Sequence, residues 1–299
     1  MDKSSRISFR IVLAYLSVCI IWGSTYLAIR IGVEHLPPAI FAGLRFFFAG
    51  GAMLLYGKIK GSPLPPRRGI FHLSVVGIFL LVGGNLLVVW SEKSIPSGLA
   101  ALIIAIVPLF MSSIDSFTPK GQSLSLLGWV GILIGFGGVF ILVSPSIGLA
   151  DGHSLNPLGI VGLIAASFLW SVGSVYSKHH HVEGDVFVNS GVQNLVPGIL
   201  LIVISVLTNE LPQAVFTQEG VLALLYLIVL GSIIGYTSYV YLLRHVAPAK
   251  ASTYAYINPV VAIFLGWVIL AEPIDARTII AALVILGGVA IVQTSRMKS

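Results

Sequence analysis

The chain has 299 residues, 57% of them hydrophobic and 9% charged, with a mean hydropathy of +0.99; these values exclude a water-soluble domain and point to an integral membrane protein. The formal net charge of +6 comes from Lys and Arg in short segments between apolar runs rather than on one face, a pattern of membrane topology and not of a nucleic-acid surface. Cys19 is the single cysteine and falls within the first apolar run, which excludes disulfides and Cys-based metal sites and leaves it as a small core residue.

Lys3, Arg6 and Arg10 precede an apolar run to Ile29 that is too long for a signal-peptide core and is followed by no small-residue cleavage site, so it reads as a retained helix. Apolar runs of roughly 20 residues, the length that crosses a bilayer, recur near 10–30, 37–57, 70–91, 95–114, 124–144, 156–177, 186–208, 219–243, 248–270 and 277–294, giving ten predicted spans. With the N-terminus in the cytoplasm, the inner side holds Lys3, Arg6, Arg10, Lys58, Lys60, Arg67, Arg68, Lys120, Lys178, Arg244, Lys250, Arg296 and Lys298. The outer side then holds only Arg30, Lys93 and Arg277. That bias obeys the positive-inside rule and places both termini in the cytoplasm. The expected fold is all-α, a multi-pass protein of the cell inner (plasma) membrane.

Span 9 carries its own interruption. Thr253-Tyr254-Ala255-Tyr256-Ile257-Asn258-Pro259 puts polar groups and a proline halfway along an apolar segment. Pro259 has no N–H, so the Ala255 carbonyl loses its helical donor beside the Asn258 amide; such a break in hydrocarbon must face protein or a wet cavity. The same frame recurs in span 4, with Ala100 against Ala251, Ile103 against Tyr254 and Pro108 against Pro259. Further matches pair Trp22 with Trp170, Gly43 with Gly191, Arg45 with Gln193, Gly50 with Gly198, and Gly137-Gly138-Val139 with Gly287-Gly288-Val289. Residues 1–145 and 156–295 thus repeat one five-span unit. Five is odd, so the second copy enters the membrane from the opposite side. Inverted repeats of this kind mark secondary transporters, whose sites lie near the midplane where the copies meet.

Trp22-Gly23-Ser24-Thr25-Tyr26, Gly43-Leu44-Arg45-Phe46, Pro108, and Ala255-Tyr256-Ile257-Asn258-Pro259-Val260 followed by Glu272 resemble the EamA-type ten-helix permeases of the drug/metabolite transporter (DMT) superfamily, end to end. Gly32-Val33-Glu34 and Pro37-Pro38 look closest to the YedA-like branch. The resemblance implies a ten-helix permease and, by analogy, export; the superfamily carries amino acids, other metabolites and drugs. One departure stands out: Glu272 after span 9 has no counterpart after span 4, where Gly121 stands.

Arg45 is the one formally charged residue well inside a span, roughly 12 Å along the helix from Pro37. It reads either as a clamp for a solute carboxylate or as a tie to helix-end carbonyls of a neighbouring span. In span 7, Asn189, Gln193 and Pro197 recur every fourth residue, with Ser190 and Asn194 alongside, which reads as cavity lining or as interhelical glue. Trp22, Tyr26, Trp170, Tyr236, Tyr239, Tyr254 and Tyr256 are mostly too deep for an interfacial belt and supply aromatic walls or packing. Candidate solute-binding residues are therefore Trp22, Tyr26, Arg45, Trp170, Asn189, Gln193, Asn194, Tyr236, Tyr239, Tyr254 and Asn258. Span 4 offers almost nothing polar from Leu99 to Phe110, so the polar side of the cavity is expected from the second copy.

Gly131 and Gly135 in span 5 and Gly287-Gly288 in span 10 predict close pairing of those two helices. The His179-His180-His181 run beside Lys178 reads as a solvated loop, because adjacent histidines do not converge on one ion. Glu34, Glu92, Asp115 and Glu272 all lie near span ends, so no relay through buried carboxylates is evident. No phosphate-cradling Gly-Lys motif and no zinc-protease pair occurs. The resulting expectation is a permease, not an enzyme, that moves a small amphipathic metabolite by alternating access, with spans 4, 7 and 9 supplying the bends. It needs no cofactor and acts as a monomer or homodimer in the lipid bilayer. Rival readings are a lipid-linked substrate flippase and an intramembrane enzyme, the latter needing acid/base groups converging at one depth.

Overall fold

A computed structural model describes residues 3–118, 123–147, 155–246 and 251–296; Lys120, Gly121, Lys250 and Lys298 lie outside them. The described residues include no strand, and ten helices are long and apolar enough to cross a membrane. They are span 1 (Phe9–Val33), span 2 (Pro38–Ile59), span 3 (Arg67–Ser91), span 4 (Ser97–Ser116), span 5 (Leu126–Val143), span 6 (Pro157–His179), span 7 (Val186–Leu207), span 8 (Gln218–His245), span 9 (Ser252–Leu270) and span 10 (Ala276–Ser295). Each matches one apolar run, because a bilayer-length stretch with few charges has no competing folded state in lipid. Spans 1 and 10 begin and end at one face of the bundle, the terminal end; the opposite face is the far end.

Glycines pack the helices in pairs. Spans 2 and 7 touch backbone to backbone: a Cβ on Gly50 would meet Leu195 N at 2.4 Å, and one on Gly198 would meet Phe47 N at 2.4 Å. Spans 5 and 10 pair as expected, a Cβ on Gly131 meeting the Gly288 carbonyl at 2.8 Å and one on Gly288 meeting Gly135 N at 2.4 Å. Apolar burial drives no helix association in lipid, so close contact between small residues does. Gly43, Gly50, Gly191 and Gly198, which match between the two halves of the sequence, are thus the ones on which span 2 meets span 7. Leu133, Val260, Phe264 and Leu283 point outward, forming part of the apolar coat that faces lipid. Span 4 is the most enclosed: 72% of its central stretch is buried, against 33% for span 9. Its apolar sequence is therefore that of a helix packed on all sides.

The proline breaks lie where the sequence places them. Span 4 is helical over Ser97–Ile104 and again over Val107–Ser116, with Pro108 in the first turn of the second piece, where its missing N–H costs nothing. Span 9 is a 3₁₀ helix over Ser252–Tyr256 and an α-helix over Asn258–Leu270, with Pro259 in its first turn. Span 7 runs as one helix through Pro197. The Gln193 carbonyl that Pro197 frees lies against Gly77 of span 3, so close helix contact absorbs it.

Candidate functional site

Three spans widen into π-helical turns: Val18–Trp22 in span 1, Ile78–Asn85 in span 3 and Leu227–Tyr236 in span 8. A wide turn takes carbonyls out of the regular ladder and is frequent at functional sites. All three turns meet around one central cavity of about 60 Å³. Trp22 Nε1 donates to the Gly231 carbonyl at 3.1 Å, joining the wide turns of spans 1 and 8. The surroundings of Asn258 orient its amide so that Nδ2 donates to the Cys19 carbonyl at 2.9 Å and to the Tyr254 carbonyl at 3.2 Å. That ties the break in span 9 to the wide turn of span 1.

The cavity walls are aromatic and its polar atoms come from both copies. Trp22 stands edge-on to Trp170 at 5.3 Å and to Tyr254 at 5.2 Å between ring centroids, geometry that suits the ring quadrupoles. Arg45 of span 2 is 4% exposed. Its Nε donates to Ser232 Oγ at 2.9 Å, and its guanidinium carbon lies 4.9 Å from the Phe46 ring centre. Arg45 Nη1, Asn85 Oδ1 and the Tyr236 hydroxyl are buried without a protein partner, and their residues line the cavity. The residues that carry a cationic donor, an acceptor and a hydroxyl thus line one small space, and each unpaired group costs free energy until something satisfies it. Pockets that enclose a drug-sized ligand run to roughly 300–1,000 Å³, so this conformation is contracted around the site and has room for a few waters.

Of the predicted residues, Trp22, Tyr26, Arg45, Trp170, Tyr236, Tyr254 and Asn258 line this cavity. The other four lie outside its lining. Asn189 donates to the Val182 carbonyl at 3.0 Å, and Asn194 to the Ser190 carbonyl at 2.8 Å; both serve the backbone. Gln193 lines a second cavity of about 220 Å³, together with His72, Lys178, His180, His181 and Arg244. Tyr239 is fully buried, its hydroxyl 2.8 Å from Ser174 Oγ and 3.2 Å from Trp170 Nε1. The amide stripe of span 7 misses the centre because its Gly191 and Gly198 hold that helix against span 2.

The expected lopsided cavity gives way to a shared one. Span 4 does contribute only Ile104 and Val107, but Thr25, Arg45 and Asn85 bring polar groups from the first copy. Asn85 escapes a sequence reading because Gly83-Gly84-Asn85 looks like a helix breaker, whereas it forms the last part of a π turn. The two cavities stack along the bundle: span 3 gives Leu81 to one and Val76 to the other, span 6 Trp170 and Ser177, span 8 Tyr236 and Val240. Tyr239 lies between those levels along span 8 and lines neither cavity.

Side chains fasten both ends. At the terminal end Lys178 Nζ pairs with Asp115 Oδ1 at 2.9 Å, Arg244 donates to the Gly184 and Val182 carbonyls, and the exposed His180 stacks on Tyr176 and His72. At the far end Glu272 accepts bonds from Ser97 N at 2.8 Å, Gly98 N at 3.1 Å and Ser97 Oγ at 3.0 Å. Ala271, with φ of 52°, turns the chain so that Glu272 reaches the start of span 4. A carboxylate there also meets the positive end of the helix dipole.

The pattern of the EamA-like transporter family matches residues 9–144 and again residues 157–294. The uncharacterized inner membrane transporter YedA of Escherichia coli (strain K12) is 39% identical over 254 residues, 85% of this chain and 80% of that protein. A Salmonella typhimurium (strain LT2) protein named "Probable amino-acid metabolite efflux pump" is 25% identical over 282 residues, 91% of each. A crystal structure with 23% sequence identity superposes with a TM-score of 0.69 over 94% of this chain and 96% of that one, a shared fold.

Proposed function

Because the chain belongs to the EamA-like transporter family, we propose that it is a secondary transporter that moves small amphipathic metabolites, amino-acid-like or drug-like, outward across the cell inner membrane by alternating access. Its termini face the cytoplasm on the positive-inside bias of Lys and Arg. The observation that carries the substrate class is the trio of unsatisfied polar groups in the central cavity, Arg45 Nη1, Asn85 Oδ1 and the Tyr236 hydroxyl. Arg45 suits a carboxylate, Asn85 Oδ1 accepts from an ammonium or amide, and the Trp22, Trp170 and Tyr254 rings take an apolar body. Outward direction draws support from the Salmonella relative named as an efflux pump.

In the cycle, a solute enters from the cytoplasm and exchanges the self-contacts of the cavity walls for its own. Opening at the terminal end separates Lys178 from Asp115; opening at the far end releases Glu272 from span 4. The test is flux. Purified protein in proteoliposomes is assayed by counterflow with a panel of radiolabelled amino acids and aromatic monocarboxylates. At least one should be carried, and Arg45→Gln should lose most of that flux while keeping its elution profile. Flux that is unchanged in Arg45→Gln, or no flux of any panel member, contradicts the reading.

A further inference from the structure

Glu92 follows the last residue of span 3, and its N–H still bonds the Val88 carbonyl at 3.0 Å. A carboxylate at a span end is ordinarily a wet one. Glu92 is instead fully buried, and neither carboxylate oxygen has a hydrogen-bond partner. The cause is local. Only residues 92–96 join spans 3 and 4, and the Arg30 guanidinium donates to the Glu92 backbone carbonyl, pulling the connection under the far end of the bundle.

Nothing nearby supplies the missing partner. Glu272 gives its oxygens to Ser97 and Gly98. Arg30 Nη1 is held by the Glu92 carbonyl, and Arg30 Nε faces Glu34 at 3.9 Å. Arg45 Nε is held by Ser232. The charged groups that act on Glu92 at longer range are Glu272, Arg30 and Arg45, and Glu92 in turn bears on Tyr26. An ionised carboxylate taken from water without a hydrogen bond costs several kcal/mol, whereas the neutral acid costs far less. Burial first, and then the Glu272 carboxylate, hold Glu92 well above the ordinary carboxylate range, with Arg30 and Arg45 opposing them.

The position matters for transport. Asn85, Val88 and Glu92 fall on one face of span 3; the first two line the central cavity, and Glu92 lies one turn further towards the far end. Arg45, a buried cation with one unsatisfied nitrogen, lines the same cavity.

We propose that Glu92 is a proton-binding site one turn from the central cavity, so that a solute carboxylate entering that cavity brings a like charge towards Glu92, favours its protonated form and binds together with a proton. The proton adds to a Glu92 carboxylate oxygen from solution and leaves when the anion does; no other bond changes. The link to solute rests on the central cavity being the solute site, but the proton site does not.

The experiment needs no solute. Infrared difference spectra of the full-length protein in lipid nanodiscs, recorded across pH, report the carbonyl stretch of a buried protonated carboxylic acid. The parent should show that band near neutral pH and Glu92→Gln should lack it. Arg45→Gln removes one of the two cations that favour ionisation, so its band should persist to higher pH. Glu272→Gln removes the like charge and should move the midpoint down. A band that survives in Glu92→Gln overturns the proton site. A midpoint unmoved in both Arg45→Gln and Glu272→Gln overturns the link. Failure of the cavity as the solute site would appear separately, as counterflow indifferent to cavity substitutions in a protein whose titration is intact.

Discussion

Arg45 Nε donates to the Ser232 hydroxyl at 2.9 Å, holding a guanidinium from the first copy against the π turn of span 8 in the second. Ser232→Ala would leave that N–H buried and unpaired, a loss of about 1–3 kcal/mol. Thermal unfolding of the purified protein should show a lower midpoint for Ser232→Ala and near-parental behaviour for Ser232→Thr, which keeps the hydroxyl. Equal midpoints for parent and Ala variant would show that Arg45 is positioned by something else.

Glycines with and without neighbours separate helix packing from mere composition. A Cβ on Gly288 would sit 2.4 Å from Gly135 N, whereas one on Gly287 would have nothing within 4 Å. Backbone cannot yield as a side-chain tip does, so Gly288→Ala should lower the yield of folded protein severalfold and Gly287→Ala should leave it unchanged. Size-exclusion profiles of the two variants at matched expression check this.

The orientation proposed here rests on charge alone and is open to direct labelling. Cysteines placed singly at His179 and Gln213, both exposed, lie at opposite ends of the bundle. In intact cells an impermeant thiol reagent should modify Gln213→Cys and spare His179→Cys, whose labelling would require permeabilisation. The reverse pattern inverts the topology.

Asp275, in the connection before span 10, accepts a bond from Thr278 N at 2.7 Å. Its bonds with Thr278 hold the carboxyl below its ordinary value. The depressed value means that this cap is fully present above the unfolded carboxylate range and is lost as pH falls through the lower folded value. A side-chain cap contributes about 1 kcal/mol, and an exposed one sits at the low end. Thermal unfolding of Asp275→Ala should therefore differ from the parent at neutral pH and converge with it in strong acid.

Much of this architecture can be read from the residues, and what cannot has physical reasons. Span number and limits follow from bilayer thickness acting on apolar runs, and the breaks at Pro108 and Pro259 follow from a missing N–H. Trp22, Arg45, Trp170 and Asn258 were legible because a polar or aromatic group at mid-depth must face protein or a cavity. The π turns were not, since Val18–Trp22 and Leu227–Tyr236 have the composition of ordinary helix and widen only in tertiary context. Asn189 and Asn194 lie outside the central cavity's lining, since an amide stripe satisfies backbone carbonyls as readily as it lines a cavity. Glu92 was hidden for a different reason: distance along a span measures depth, and burial depends on what covers the end.

The central claim is that solute sits among Arg45, Asn85 and Tyr236 rather than in the second cavity beside Gln193, and paired substitutions at Asn85 and Gln193 test it most directly. Both side chains carry a buried carbonyl oxygen without a partner, yet they line different cavities. The measurement is the concentration dependence of counterflow for a carried solute in proteoliposomes containing parent, Asn85→Ala or Gln193→Ala protein. Loss of one solute hydrogen bond, about 1 kcal/mol, should weaken the apparent affinity of Asn85→Ala severalfold, while Gln193→Ala keeps the parental curve. A parental curve for Asn85→Ala together with a weakened one for Gln193→Ala would contradict the account and move the solute to the second cavity.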